Sequence, residues 1–240
     1  MLSETLQQPV VLINETDFIN YASAWRILSS DTSRNLKPLF TVNDRFSNCI
    51  LFSLDAVESL LSSEGVKTIK VKFCVHEVNE QQVFNIVLFS TDSIGATNSA
   101  YYLGTPGVLV SANGGPGGNI PDWLAEKWIT NWLALESNRY FTSEDVFSTR
   151  YGLLDGYNYD MLDILDALYA DKPDYASEYL CVHFALHRHY KAGNVDPDRP
   201  TYTFNVVFQR VLFLKDDNGE IIYTPSEDVF YDISSPSPPY

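Results

Sequence analysis

The sequence predicts an α+β fold made of two similar units in tandem, and three observations support this prediction. Short blocks recur in the same order in both halves, a glycine- and proline-rich stretch separates the halves, and each half passes from helical spacing to strand alternation. We expect helices followed by an antiparallel β-hairpin in each unit, with room for a third strand, and a pseudo-twofold arrangement of the units. The predicted boundaries are a first unit at 1–110, a linker at 111–121 and a second unit at 122–240.

The repeat consists of blocks that match in sequence order. The octamer FTVNDRFS at 40–47 returns as FTSEDVFS at 141–148, and the tripeptide CVH occurs at 74–76 and again at 181–183. One chance match is common, but a series of matches in the same order is not, and we interpret the series as an internal duplication. The remaining matched blocks are LDAVESLL with LDILDALY, VFNIVLF with TFNVVFQ, and YYLGTP with EIIYTP.

Each unit is predicted to begin with a helix that carries an aromatic stripe. Thr16 and Asp17 offer N-cap side chains to the first helix, and Pro121 and Asp122 open the second. Tryptophans at helical spacing are more typical of core contacts than of a sugar-binding platform. The stripe residues are Phe18, Tyr21, Trp25 and Leu28 in the first helix and Leu124, Trp128, Trp132 and Leu135 in the second.

A capping box is predicted in each octamer, at the start of a short helix. Thr41 with Asp44, and Thr142 with Asp145, place an acid three residues after an N-cap threonine. This interpretation accounts for both aspartates without a catalytic role. The amphipathic helix that follows is predicted at Leu54 to Leu61 in the first unit and at Met161 to Tyr169 in the second.

Strands with alternating apolar residues follow the helices, and each is expected to turn back into an apolar partner strand. The opposite face of each strand carries cysteine and histidine side chains. The predicted core faces are Ile69, Val71, Phe73 and Val75 in the first unit and Leu180, Val182, Phe184 and Leu186 in the second.

The cysteines and histidines form a candidate metal site. Alternate residues on a strand are about 6.6 Å apart at Cα, near enough for both side chains to bind one ion. If the two strands were adjacent, their Cys-x-His pairs could converge as a tetrahedral Cys2His2 zinc set. The alternative is structural, because free cysteine is often buried as a small apolar group and histidine tolerates a half-exposed sheet face. The candidate ligands are Cys74, His76, Cys181, His183, His187 and His189.

Composition limits the classes of partner. With 31 acidic and 16 basic side chains, the chain has a formal net charge of −15, which disfavours direct electrostatic binding to nucleic acid. The acidic excess either steers a basic protein partner toward the chain or simply keeps the protein soluble, and solubility alone is usually a sufficient explanation. The sequence contains neither a run of about 18 apolar residues nor a basic, apolar leader. Its three cysteines without CxxC spacing fit a reducing compartment. We therefore expect a cytoplasmic protein without a membrane span, and the sequence leaves its oligomeric state open.

The helix FSLDAVESLL leading into KVKFCVHEVNEQQVFNIVLF, together with the closing YDISSPSPPY, resembles a group of small, acidic, uncharacterised bacterial proteins. The resemblance implies an α+β fold and a bacterial cytoplasmic setting. It implies no activity, substrate or catalytic residue.

The catalytic motifs that a sequence can show are not found in this chain. The sequence contains no GxSxG, HExxH, P-loop or dinucleotide fingerprint, and we assign no catalytic residue. A non-enzymatic protein-binding or scaffold protein is therefore favoured, because duplication creates a large self-similar surface. The alternative is a metal-binding protein or metal-dependent hydrolase that uses zinc on the Cys-x-His strands. A carbohydrate-binding module with exposed tryptophans comes third.

Overall fold

The protein has a mixed α+β fold in a computed structural model, which describes residues 10–109, 120–149, 152–169, 178–189, 201–215, 221–225 and 235–236. The predicted α+β class is confirmed. Within these residues, no helix has both the length and the apolar character needed to cross a membrane. All of the predicted linker except its last two residues lies outside the described residues, and the two predicted unit boundaries stay a prediction.

The described residues contain five α-helices. They are α1 (Glu15–Ser30), α2 (Leu54–Leu61), α3 (Asp122–Leu133), α4 (Ser143–Val146) and α5 (Met161–Tyr169). The N-cap of α1 is Asn14 rather than the predicted Thr16 or Asp17, because Asn14 Oδ1 accepts the main-chain N–H of Asp17 at 2.9 Å. Helix α3 begins at Asp122 after Pro121, as predicted.

Of the two predicted capping boxes, only the second is formed. At the start of α4, Thr142 Oγ1 accepts the main-chain N–H of Asp145, and Asp145 Oδ2 accepts that of Thr142 at 2.9 Å. The prediction at Thr41 is wrong, because the chain there forms a tight hairpin instead. Asn43 and Asp44 turn that hairpin with φ of 50° and 61°, the left-handed conformation that a two-residue hairpin turn requires.

The strands form one large antiparallel sheet and two small hairpins. The first seven are β1 (Val10–Ile13), β2 (Thr41–Val42), β3 (Arg45–Phe46), β4 (Cys49–Ser53), β5 (Thr68–Val78), β6 (Gln81–Thr91) and β7 (Tyr101–Gly107). The others are β8 (Ser148–Thr149), β9 (Gly152–Leu153), β10 (Gly156–Asp160), β11 (Glu178–His189), β12 (Thr201–Lys215), β13 (Ile221–Pro225) and β14 (Ser235–Pro236).

The large sheet combines strands from the first half (residues 10–109) and the second half (residues 120–236) of the described chain. Its order is β13–β12–β11–β4–β7–β6–β5–β10–β14, and β1 also pairs with β7. Strand β4 of the first half pairs with β11 of the second, and β10 of the second half pairs with β5 of the first. The two remaining hairpins are β2–β3 and β8–β9.

The sheet curls around an apolar interior. The predicted core faces of β5 and β11 are confirmed, since all eight side chains are at most 2% exposed. Tyr157 Oη of β10 donates to Phe204 O of β12, and Tyr159 Oη donates to Val206 O. Because β10 and β12 are not neighbours in the sheet order, these bonds cross the interior and hold the curled sheet together.

Contacts between the halves come in matched pairs. Trp25 of α1 and Trp132 of α3 are both fully buried. Trp25 Nε1 donates to Leu154 O and Trp132 Nε1 donates to Ser47 O, each at 3.1 Å. Trp132 lies 107 positions after Trp25, and Leu154 lies 107 positions after Ser47.

The main chain also forms a matched pair of hydrogen bonds between the two halves. The N–H of Phe184 on β11 donates to Asn48 O at 2.8 Å, and the N–H of Phe73 on β5 donates to Asp155 O at 3.1 Å. Each bond lies just before the strand, β4 or β10, that crosses to the other half. Asn48 and Asp155 therefore occupy matching positions, as do Phe73 and Phe184.

The contacts in the structure pair residues of the two halves differently from the alignment of the repeated octamers. The N–H of Ser47 donates to Phe40 O at 2.7 Å, and the N–H of Leu154 donates to Phe147 O at 2.8 Å. Phe40 thus matches Phe147 in the structure, whereas the octamers align it with Phe141. The two octamers adopt different local structures, a hairpin in the first and α4 in the second.

Candidate functional site

Cys74 and His76 lie on the outer face of β5, beneath α1. Cys74 is fully buried and packs in a cluster that includes Phe18 and Tyr21 of α1. Burial raises the pKa of the Cys74 thiol and lowers the pKa of the His76 ring. The ring centroids of His76 and Tyr21 are 5.7 Å apart. Both predicted ligands are therefore neutral side chains at the interface between α1 and the sheet.

Cys181 and His183 lie on the outer face of β11. Cys181 is fully buried, burial raises the pKa of its thiol, and the thiol contacts that of Cys49 on β4. His183 is 1% exposed, and its Nε2 is 2.8 Å from Gln209 Oε1. Burial lowers the pKa of His183 to about 4. The ring is thus neutral at physiological pH, and its Nε2–H tautomer donates to the Gln209 amide oxygen.

His187 packs against α3 rather than near the other histidines. Its ring centroid is 5.7 Å from that of Trp128, and His76 stands at the same distance from Tyr21 of α1. In contact geometry His187 therefore matches His76, although the repeated tripeptide aligns His76 with His183. His189 is the last residue of β11, and its side chain lies outside the described part of the structure.

The two Cys-x-His pairs do not converge. Strands β5 and β11 are separated in the sheet order by β6, β7 and β4, and the adjacency that a Cys2His2 site requires is not formed. Among the described residues, no group of three or more His, Cys, Asp and Glu side chains is arranged to hold a metal ion. Metal binding by the six predicted ligands stays a prediction for direct measurement.

A buried carboxylate joins two cations where α1, β5 and β10 meet. Asp155 is 2% exposed, and its Oδ2 accepts Arg26 Nε at 2.9 Å, Arg26 Nη2 at 2.6 Å and Lys72 Nζ at 3.2 Å. Burial lowers the pKa of Lys72, and the charge of Asp155 opposes that shift. Oδ1 of Asp155 has no hydrogen-bond partner among the described residues. We call Asp155, Arg26 and Lys72 the Asp155 cluster.

The matching residue in the other half uses both of its side-chain polar atoms. Asn48 Nδ2 donates to Leu109 O, and Asn48 Oδ1 accepts the main-chain N–H of Leu109, each at 2.8 Å. These two hydrogen bonds hold the segment after β7 against Asn48. Asp155 Oδ1, by contrast, makes no hydrogen bond with a described residue.

An open pocket of about 580 Å³ lies in the second half, beside α4. This volume is in the range of ligand-binding sites. Phe141, Val146 and Leu186 line its floor and are buried, whereas Tyr140 at its rim is 63% exposed. Arg139, also at the rim, makes no hydrogen bond or ion pair with a described residue. The pocket therefore combines an apolar floor with an exposed aromatic ring and an available guanidinium group.

Hydrogen-bonded polar side chains occupy the matching positions of the first half. Arg34 and Gln82 hold the positions that match Phe141 and Tyr202 of the pocket lining, and Arg34 Nη2 donates to Gln82 Oε1 at 3.4 Å. Next to them, Gln81 Nε2 donates to Thr41 O at 2.6 Å. The residues that line the pocket thus differ from those at the matching positions of the first half.

Sequence reasoning missed both the Asp155 cluster and the pocket. Asp155 is 129 positions from Arg26 and 83 from Lys72, so no local spacing links them. The one signal available in the sequence was the alternation of β5, which places Lys72 of this cluster on the same face as Cys74. Tyr140 and Arg139 belong to no periodic pattern, because they lie between a short 3-10 turn and α4.

Comparison with known proteins finds no matching family, no matching curated protein and no matching solved structure.

Proposed function

We propose that the protein is a non-enzymatic protein-binding or scaffold protein that holds a segment of its partner in the pocket beside Tyr140. The observation that carries this proposal is the pocket itself, with its buried apolar floor and the exposed Tyr140 and Arg139 at its rim. Tyrosine and arginine are among the residue types that contribute most binding energy at protein interfaces. A shallow apolar floor of this kind accepts an anchoring side chain of a partner segment.

The chemistry of the rim defines the partner segment further. An aliphatic or aromatic side chain would fill the floor over Phe141 and Leu186. A carboxylate beside that anchor would form charge-assisted hydrogen bonds with the Arg139 guanidinium. The net charge of −15 favours a partner that is basic outside this segment, because long-range attraction speeds encounter.

Burial of the chemically reactive side chains supports a non-enzymatic role. Cys74 and Cys181 are fully buried and His183 is 1% exposed. A nucleophile must reach its substrate, and the reactive form of cysteine is the thiolate. Burial raises the pKa of both thiols, which keeps them protonated and unreactive in the folded protein.

We further propose that the halves are products of an internal duplication that arranged them about a pseudo-twofold axis. The paired contacts of Trp25 and Trp132, and of Asn48 and Asp155, support this origin. In this account the two copies diverged at the positions of Arg34 and Phe141, and the binding pocket belongs to the second copy. Three free, buried cysteines support the predicted reducing, cytoplasmic setting.

The proposal is tested by quantitative affinity capture with three forms of the protein. The pocket variant carries Tyr140→Ser and Arg139→Glu, and the control variant carries Ile94→Ser in the loop after β6, where Ile94 is 87% exposed. We expect a partner to be retained by the wild-type protein and by the control, and to be lost about tenfold or more from the pocket variant. Thermal unfolding of each form checks that the substitutions leave the fold intact.

Two outcomes would count against the proposal. Retention of the same proteins by the wild-type protein and the pocket variant would place the interface elsewhere. Equal loss from the pocket and Ile94 variants would show that any exposed polar substitution disturbs binding. A synthetic peptide from the captured partner then provides a dissociation constant for each form.

A further inference from the structure

We propose that the unpaired edge of β1 is a second interaction surface, on which a basic, extended segment of a partner protein adds as a further β-strand. Strand β1 pairs with β7 on one side, in a register that places Val10 opposite Gly104 and Ile13 opposite Tyr101. Its other side pairs with no strand among the described residues. Such an edge presents main-chain N–H and C=O groups that another chain can bind.

The edge of β1 lacks the residues that usually protect an exposed strand. Its sequence, VVLI, contains no lysine, no other charged residue and no proline, which are the residues that commonly prevent an edge from pairing with other chains. Val11 is 56% exposed and Leu12 is 65% exposed. Because neighbouring residues of a strand point to opposite faces, β1 offers an exposed apolar side chain on each face of the sheet.

The charged residues that follow β1 are acidic. Helix α1 begins two residues after β1, and its first turn contains Glu15 and Asp17. The only basic residue of α1 is Arg26, about three turns further along the helix, and it is bound to Asp155. The carboxylates at this end of β1 therefore attract a basic segment and repel an acidic one.

Helix α2 adds two more carboxylates near this edge. Leu12 lies opposite Tyr102 of β7, so the two side chains share one face of the sheet. The hydroxyl of Tyr102 interacts with the side chain of Ser59 on α2, which places this helix on the same face as Leu12. Asp55 and Glu58 of α2 are exposed, and the helix, LDAVESLL, contains no basic residue.

These charges favour a basic partner strand over a second copy of the chain. A second copy that paired through its own β1 would bring the same carboxylates into the interface, where like charges are unfavourable. A segment with alternating basic and apolar residues would direct its cations toward the carboxylates of α2 and its apolar side chains toward Val11. The apolar stems of its lysines would also cover Leu12.

This surface shares no residue with the pocket beside Tyr140, and the inference does not depend on the function proposed for that pocket. In strand addition, main-chain hydrogen bonds provide the affinity and the alternate side chains provide the specificity. The edge of β1 therefore selects an extended backbone first and a basic, alternating sequence second.

The test uses an acetylated peptide of alternating lysine and valine, and its binding to the full chain is measured by calorimetry and by hydrogen–deuterium exchange. We expect the peptide to slow exchange in residues 10–13 and to leave exchange in residues 156–160 unchanged. The same peptide with N-methylated amides keeps its charge but lacks the N–H donors, and it should bind about tenfold more weakly. A peptide with glutamate in place of lysine should lose affinity to a similar degree, about tenfold.

Two variants with the same change of charge locate the binding site. Leu12→Lys places a lysine on the edge of β1, and Ile94→Lys places one in the loop after β6, where Ile94 is 87% exposed. We expect Leu12→Lys to weaken binding of the lysine and valine peptide about tenfold. The Ile94→Lys variant and the pocket variant should bind it as the wild-type protein does. Thermal unfolding checks the fold of each form, and the N-methylated peptide decides if Leu12→Lys does not fold.

Several results would overturn the proposal. Equal binding of the plain and N-methylated peptides would show attraction between charges without strand pairing, and absence of binding would remove the edge as a site for such a segment. Loss of binding in the pocket variant alone would place the peptide in the pocket and leave the proposed function standing. A wild-type dimer that dissociates in Leu12→Lys, measured by analytical ultracentrifugation, would assign the edge to a second copy of the chain.

Discussion

Trp25 and Trp132 are related by an exchange of hydrogen bonds between the two halves of the protein. Each indole is fully buried, and each donates its Nε1–H at 3.1 Å to a carbonyl of the opposite half, Leu154 O for Trp25 and Ser47 O for Trp132. The accepting residues lie immediately before the segments that lead into β10 and β4. The two tryptophans thus fix the two strands that cross between halves.

This exchange predicts equal costs for removing either indole N–H. Trp25→Phe and Trp132→Phe should each lower the free energy of unfolding by about 2 kcal/mol, because a buried carbonyl loses its donor and a small cavity forms. Urea denaturation measures the loss. Trp123→Phe is the control, since Trp123 is 65% exposed and its replacement should have little effect. If either buried variant were as stable as the control, the indole hydrogen bond at that position would not contribute to the stability of the fold.

The strand faces could be predicted from the sequence, whereas the pairing of the strands could not. Side chains that face the interior recur at every second position, and Phe73 and Phe184 were assigned correctly by this rule. The partner of each strand depends on contacts far apart in the chain, and nothing local indicates that β4 pairs with β11 or that β10 pairs with β5. The repeated blocks also aligned Phe40 with Phe141, although the contacts relate it to Phe147.

The candidate ligands show the same division between local and distant information. Alternation correctly placed Cys74 and His76 on the face opposite the core stripe. It could not show that α1 covers this face, which turns a half-exposed surface into a second buried layer. The two other candidate features, the Asp155 cluster and the pocket, consist of residues that only the tertiary fold brings together.

The buried ring of His183 predicts a pH dependence of stability. Its pKa in the folded protein is about 4, below the unfolded value of about 6.5, so folding favours the neutral ring. The contribution of the neutral ring to the free energy of unfolding is fully present above pH 6.5. It is lost as the pH falls from 6.5 toward 4, and the loss reaches about 3 kcal/mol at the low end of this range. Urea denaturation of the wild-type protein and of His183→Gln at several pH values isolates this contribution.

The difference between the two proteins, rather than the absolute curve, is the relevant quantity, because carboxylates also titrate at low pH. We expect His183→Gln to lose less stability than the wild-type protein between pH 6.5 and 4. Nuclear magnetic resonance of the imidazole protons provides a direct check. A His183 titration midpoint near 6.5 in the folded protein would contradict burial of a neutral ring.

The separation of β5 and β11 predicts the outcome of a metal analysis. Elemental mass spectrometry of untagged protein should find zinc well below one ion per chain, because the two Cys-x-His pairs are three strands apart and His183 already bonds Gln209. The variant Cys181→Ser, His183→Ala is measured in parallel. One zinc per chain in the wild-type protein that disappears in the variant would reverse the conclusion and make the metal-binding alternative the favoured function.

Thiol reactivity reports on the buried outer faces of the sheet. Cys49, Cys74 and Cys181 are free and completely buried, and burial raises the thiol pKa of Cys74 and Cys181. A disulfide reagent that detects thiols by absorbance should therefore react slowly with all three in the native protein and rapidly in urea. An Ile94→Cys variant adds an exposed thiol as an internal standard that reacts at once. Fast native labelling of Cys181 would mean that β4 and β11 separate readily, which is incompatible with a sheet shared by both halves of the chain.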